Sequence, residues 1–171
     1  RQRLHAQEGM QAQEATITIY KNMRWSSERR MKSGTYLASS TPYGYKLEEG
    51  EFKVVETEAE IVRLIFKSYL SGMGKKAIAD MLNRMDAPKR FGYTTWRIST
   101  INYILSNERY IGDALFQKRY TTDTLPFKMK INRGQKPQYY VEDMNPPIIT
   151  KEVFEAAQKL KAKSTTEERF S

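Results

Sequence analysis

Trp96, Arg97, Ser99, Asn102 and Tyr103 sit in one short stretch that also carries Ile101, Ile104 and Leu105. Apolar residues at three- and four-residue spacing predict a helix with Trp96, Ile101, Ile104 and Leu105 turned to a core. Arg97, Ser99, Asn102 and Tyr103 then face outward. Arginine pairs bidentately with guanine and asparagine with adenine, so this face is suited to reading base edges in a major groove. The helix is expected over Trp96–Ser106, capped by Thr94 or Thr95 and ended by Asn107. A second helix over Lys75–Met85 precedes it, joined by a connection that holds Lys89, Arg90 and Gly92. The pair resembles a helix-turn-helix unit with a lengthened turn. A helical hairpin with a merely polar exposed face fits the same pattern, and both readings stand on these residues alone.

Two further basic groups bear on the same chemistry. Arg29-Arg30-Met31-Lys32 falls at the expected end of a long helix, where cations also suit the helix dipole and need no ligand. The Ser33, Gly34 and Thr35 that follow begin a Ser/Thr-rich segment, extended through Pro42 and Gly44, of the kind that enters a minor groove. Lys128, Lys130, Arg133 and Lys136, interleaved with Gly134 and Pro137, suit phosphate contact or an ordinary solvated loop.

Other chemistries lack their residues. The chain has no Cys and one His, His5, in a polar stretch, so thiolate nucleophiles, disulfides, sulfur-held zinc and histidine acid–base sites are not expected. Gly72-Met73-Gly74 has no strand before it and reads as a turn rather than a phosphate loop. Glu48, Glu49 and Glu51 read as a solvated turn. No catalytic residue, metal ligand or cofactor is assigned.

The elements that must position these groups follow from length and pattern. The 171 residues are 39% hydrophobic, enough for one modest core. No apolar run reaches a membrane span, and no signal-peptide pattern opens the chain. Lys and Arg total 29 against 20 Asp and Glu, a net charge of +9 that favours a polyanionic partner or a membrane surface. The excess is blocked: Lys21–Ser33 and Arg84–Lys136 are basic, Leu47–Arg63 is acidic. A long helix is expected from about Ala6 to Lys32 despite the strand-like Thr16-Ile17-Thr18-Ile19-Tyr20. A capping box, Thr57-Glu58-Ala59-Glu60, opens a helix carrying Ile61, Leu64, Ile65 and Leu70. Ala77, Ile78, Met81, Leu82 and Met85 mark the inner face of the next. Strands are expected at Ala114–Tyr120 and Gln138–Val141. A last helix, capped by Thr150, buries Val153, Phe154, Ala157 and Leu160 and frays after Lys163. The fold class is α+β, mainly helical, with a small β-hairpin and a C-terminal helix.

In this order the motifs resemble the middle of a large serine recombinase, the family of phage integrases and transposon resolvases or transposases. Asn22-Met23-Arg24-Trp25 through Arg29-Arg30-Met31-Lys32-Ser33-Gly34 is similar to the end of that family's long helix, and Pro42-Tyr43-Gly44-Tyr45 to its turn. Ile78-Ala79, Leu82-Asn83, Trp96, Thr100-Ile101, Ile104-Leu105-Ser106-Asn107 and Tyr110-Ile111-Gly112 match its recombinase domain. Gln138-Tyr139-Tyr140-Val141 and Pro147-Ile148-Ile149 with Phe154 continue the match, which runs from about Ala12 to Leu160. Asn145 stands where the family often has His, and Gly74 where a Ser often caps the helix.

The resemblance implies a helix connecting to a catalytic domain (1–33), an extended linker (34–45), a DNA-binding domain (46–144) and a C-terminal helix leading to a zinc ribbon (145–171). It places the catalytic serine in a module before Arg1, and strand exchange through phosphoserine links without metal or cofactor. The expected partners are an attachment-site duplex and further copies of the parent enzyme, as dimer and synaptic tetramer, in a bacterial or phage-encoded, nucleoid-associated, cytoplasmic setting. The DNA-contact set is then Arg24, Arg29, Arg30, Lys32, Ser33, Gly34, Thr35, Lys89, Arg90, Arg97, Ser99, Asn102, Tyr103, Lys118, Arg119, Lys128, Lys130 and Arg133. A transcription regulator with a helical dimerisation arm, and a basic protein-interaction module, are the competing readings.

Overall fold

A computed structural model describes residues 2–33, 41–90 and 94–170, with side chains from 9 to 165. The expected arm residues Gly34 and Thr35 and the connection residue Gly92 lie outside them. The chain divides into two compact units, Arg1–Leu37 with Leu115–Val141, and Ala38–Ala114 with Glu142–Ser171.

The first unit is built on α1, Gln2–Lys32. Thirty-one residues at 1.5 Å each make it about 46 Å long. The β-branched stretch is helical, and its hydroxyls bond back to the preceding turn: Thr16 Oγ1 donates to the Ala12 carbonyl (2.8 Å) and Thr18 Oγ1 to that of Glu14 (2.9 Å). Against this helix the 115–141 excursion lays its own short strands. Expected as a single strand over Ala114–Tyr120, the chain instead turns at Gln117, whose φ is +64°. Two strands result, β3 (Ala114–Phe116) and β4 (Arg119–Thr121). β4 pairs antiparallel with β5 (Met129–Ile131), in the register Arg119↔Ile131, Tyr120↔Lys130, Thr121↔Met129. β3 pairs with β6 (Tyr139–Val141). Lys130 is therefore on a strand and not in a loop. Tyr20 stacks on Phe127 with ring centroids 4.5 Å apart, and Arg24 bonds both Glu28 and Asp123. Lys136 Nζ reaches the second oxygen of Asp123 at 2.8 Å.

The second unit opens with a hairpin that the sequence pattern did not suggest, β1 (Tyr45–Glu48) and β2 (Glu51–Val54), antiparallel in register Tyr45↔Val54. Its two-residue turn has positive φ at both Glu49 (51°) and Gly50 (80°), the geometry that matches strand twist. Three helices follow: α2 (Glu56–Leu70), α3 (Lys75–Arg84) and α4 (Ile98–Leu105). A 3-10 turn, Glu108–Ile111, leads out of this unit, and α5 (Lys151–Phe170) closes it. Val62, Ile65, Phe66, Ile78, Leu82, Ile101, Ile104 and Leu105 are buried around Tyr45 and Tyr110, which are fully buried.

Several expectations are corrected by local physics. The capping box does not form. Val55 is the N-cap, α2 starts one residue before Thr57, and the Glu58 carboxylate turns away to accept the Gly44 N–H at 2.7 Å. Neither Thr94 nor Thr95 caps α4: its N-cap is Arg97, so Trp96 precedes the helix instead of opening it. Ala77 and Met85 are exposed while Ala79 is buried, and Leu70 faces solvent. Thr150 does cap α5, accepting the Val153 N–H at 3.3 Å, but the helix runs on to Phe170 rather than fraying after Lys163.

Candidate nucleic-acid interface

Helix α4 is positioned through one side chain. Asn83, near the end of α3, accepts the Trp96 backbone N–H (2.7 Å) and donates to the Trp96 carbonyl (3.0 Å). Both backbone groups of the residue before the α4 N-cap are thereby satisfied by α3, which fixes how the two helices meet. The Trp96 indole donates to the Ala87 carbonyl at 3.3 Å and its ring meets Tyr43 edge-on at 5.2 Å. From the far side Gln158 of α5 donates to the Leu105 carbonyl at 2.6 Å. With Ile101, Ile104 and Leu105 buried, α4 has one face left.

That face carries the expected readers. Arg97 and Ser99 are exposed, Tyr103 is 59% exposed, and Asn102 is half-buried. Local desolvation raises the Tyr103 phenol above its ordinary pKa, and Glu108 adds to the effect. In front of α4 lies a cleft of about 490 Å³, lined by Thr41, Pro42, Tyr43, Lys89, Arg90, Thr95, Trp96, Arg97, Ser99, Thr100, Tyr103 and Ile104. Five expected contact residues thus meet in one place. Thr41, Tyr43 and Thr100 were not foreseen there, because nothing in a sequence pattern says which loop faces a helix.

The remaining candidates differ in how far the fold engages and buries them. Arg90 is turned inward. Its guanidinium bonds both Glu58 oxygens (2.6–3.1 Å), the Thr41 carbonyl and hydroxyl (3.0 Å each) and the Tyr45 carbonyl. Every donor is occupied within the unit, which corrects the expectation of an available cation. Arg24 is likewise engaged, with Glu28 and Asp123, and Lys89 pairs with Asp86 at 3.2 Å. Arg109 adds to the formal charge of the basic block yet is buried, with its guanidinium 5.0 Å from the Phe52 ring centroid. Burial lowers its pKa.

In the first unit Arg29, Arg30, Lys32 and Ser33 are exposed at the end of α1. Arg29 lies over the Trp25 ring at 4.8 Å and Ser33 Oγ bonds the Arg30 carbonyl at 3.2 Å. Lys118, Arg119, Lys128, Lys130 and Arg133 are exposed on the excursion. The turn that presents Arg133 is organised by buried Asn132. Its amide donates to the Gln117 and Lys136 carbonyls (2.9 and 2.8 Å), and its oxygen accepts the Gly134 and Lys136 N–H groups.

Among the described residues no cluster of His, Cys, Asp and Glu is arranged to hold a metal ion, and no helix is long and apolar enough to cross a membrane.

Comparison with known proteins gives a consistent result. A family model described as Recombinase matches residues 56–164. A Bacillus subtilis (strain 168) protein named "Putative DNA recombinase" is 27% identical over 157 residues, which are 82% of this chain and 31% of that protein. The chain therefore spans about a third of that relative's length. Two solved structures share the fold. One, described as a crystal structure of an LSR–DNA complex, aligns with TM-score 0.58 and 19% identity over 83% of this chain and 38% of its own. The other, from work on the sequence requirements of the Listeria innocua prophage attP site, aligns with TM-score 0.57 and 20% identity over 82% and 51%.

Proposed function

The chain belongs to the Recombinase family of large serine recombinases, and from that premise we propose that it grips duplex DNA sequence-specifically, at one half of an attachment site. The observation that carries this reading is α4. Its inner face is locked by Asn83 and Gln158, and its outer face offers Arg97, Ser99, Asn102 and Tyr103 beside a cleft containing Lys89. A rigid helix with donors of this kind can lie in a major groove and discriminate base edges. The description of one structural relative as a DNA complex agrees with it.

In this reading Arg29, Arg30, Lys32, Ser33, Lys118, Arg119, Lys128, Lys130 and Arg133 supply phosphate contacts, which hold without reading sequence. Gly34 and Thr35 belong to the segment that crosses the minor groove. Residues 1–33 connect to a catalytic domain; 34–45 are the linker, whose last residue Tyr45 already belongs to the second unit's core; 46–144 carry the DNA-binding domain, from which 115–141 pack with the first unit; and 145–171 are the helix towards a zinc ribbon. The parent acts as a dimer that pairs into a tetramer. Selecting a duplex from a randomised pool and titrating it beside a scrambled duplex at several salt concentrations tests the proposal. Tight, salt-dependent binding with preference for the selected duplex is expected; equal affinity for both removes the reading role.

A further inference from the structure

The two walls of the cleft in front of α4 are held very differently. One is α4 itself, fixed to α3 by Asn83. The other, Thr41-Pro42-Tyr43, belongs to no helix or strand and is held by side chains. Arg90 bonds the Thr41 carbonyl and hydroxyl and the Tyr45 carbonyl, while its other edge grips Glu58 on α2. The Tyr43 hydroxyl donates to the Pro88 carbonyl at 2.5 Å, and the Tyr110 hydroxyl donates to the Tyr43 carbonyl at 2.8 Å.

We propose that this cleft seats the sugar–phosphate backbone of one DNA strand, and that Arg90, acting through Glu58, is the positioning residue that sets its width. The proposal rests on the DNA-binding reading above. The chemistry of the lining favours a phosphodiester over a peptide. Lys89 supplies positive charge beside its partner Asp86, Thr41 and Thr100 supply hydroxyls, and Tyr43 offers its ring to the sugar, while Arg97 and Ser99 at the rim on α4 keep their base-reading role. Among the described residues no carboxylate lines the space, and the nearby Glu58 is engaged by Arg90. Arg90 itself has no donor to spare for a phosphate, and its side chain is 24% exposed. Its contribution is geometric: a planar fork joins three chain segments at fixed angles, which a lysine ammonium cannot do.

The test uses the whole chain and a duplex selected from a randomised pool by the wild type. Glu58→Gln separates the two roles open to Arg90 by the sign of its effect. If Arg90 sets the cleft, losing its charged partner loosens the wall and weakens binding about fivefold, with a salt slope no steeper than wild type. If Arg90 is a phosphate ligand, the same change frees it. Binding then stays equal or tightens, the slope steepens by about one, and the proposal is overturned. Arg90→Lys is expected to bind as weakly as Glu58→Gln, and wild-type affinity would equally overturn the idea.

Tyr43→Phe guards against misfolding, since it keeps the ring against Trp96 and every charge. It should bind about threefold more weakly. In phosphate-ethylation interference it should lose the signal at the phosphates of one strand while the others persist. An unchanged interference map would overturn the proposal. Failure of the wild type to bind any duplex would instead remove the DNA reading from which the proposal starts.

Discussion

Asn83 and Trp96 form a two-point clasp in which one side-chain amide satisfies both backbone groups of a residue thirteen positions on. It is the link between α3 and the start of α4. Asn83→Ala leaves a part-buried N–H and carbonyl without partners, at a cost of about 1–3 kcal/mol. The urea midpoint should fall accordingly, and binding to a selected duplex should weaken more than binding to a scrambled one. Equal loss on both would show that the clasp serves stability alone.

Arg97→Ala and Asn102→Ala should each cost about 1–3 kcal/mol on a selected duplex and much less on a scrambled one. Competition titration with the two duplexes measures the difference. If Arg97→Ala lowers both alike, Arg97 meets phosphate and the reading falls to its neighbours.

Lys128→Ala, Lys130→Ala and Arg133→Ala should weaken both duplexes by similar factors. If five to eight cations of the chain meet phosphates, the slope of log affinity against log salt is roughly −5 to −7, and each such substitution reduces it by about one. Arg24→Ala should leave the slope nearly unchanged, because its charge is already paired with Glu28 and Asp123.

Gly112 has φ +92°, and a side chain there would place its Cβ 2.7 Å from the Asn145 carbonyl oxygen. Gly112→Ala should therefore destabilise the second unit by about 2 kcal/mol or more, through both backbone strain and the clash. Thermal denaturation reads this directly, and a shift of less than a degree would contradict it.

Burial, with Glu58 adding to it, pushes the Tyr43 phenol up to about 12 from its ordinary 10. The folded state therefore favours the protonated phenol. Its contribution is intact below pH 10 and is lost as the pH climbs through about 12. Burial also raises Tyr45 and Tyr110. Stability followed by circular dichroism should stay level to pH 10 and then fall, and Tyr43→Phe should make that fall shallower.

Much of the helical framework is legible in the residues alone. The apolar spacing around Ile101, Ile104 and Leu105 placed a helix and its outward face within two residues at the N-terminal end, because burial of one stripe dictates which residues must point away. Thr150 announced its helix, and Gly74 the start of another, since caps are local events. The strand-like Thr16–Tyr20 stretch yielded to the helix formers on both sides of it. The partner of Tyr20, Phe127, lies more than a hundred residues away in the chain, and no local pattern points to it.

What the residues determined alone is thus periodic or local: one core, mostly helical elements, a basic excess and a polar face on α4. Tertiary structure decided which of the basic residues are available. Arg24, Arg90 and Arg109 look like Arg97 in a charge count. Yet Arg90 is spent on Glu58, Thr41 and Tyr45, Arg24 on Glu28 and Asp123, and Arg109 is buried, while Arg97 is exposed. The partners of Arg90 lie more than thirty positions away in the chain, and Asp123 is ninety-nine from Arg24. A guanidinium's role is set by what surrounds it in space, and only folding brings Glu58 and Thr41 to Arg90.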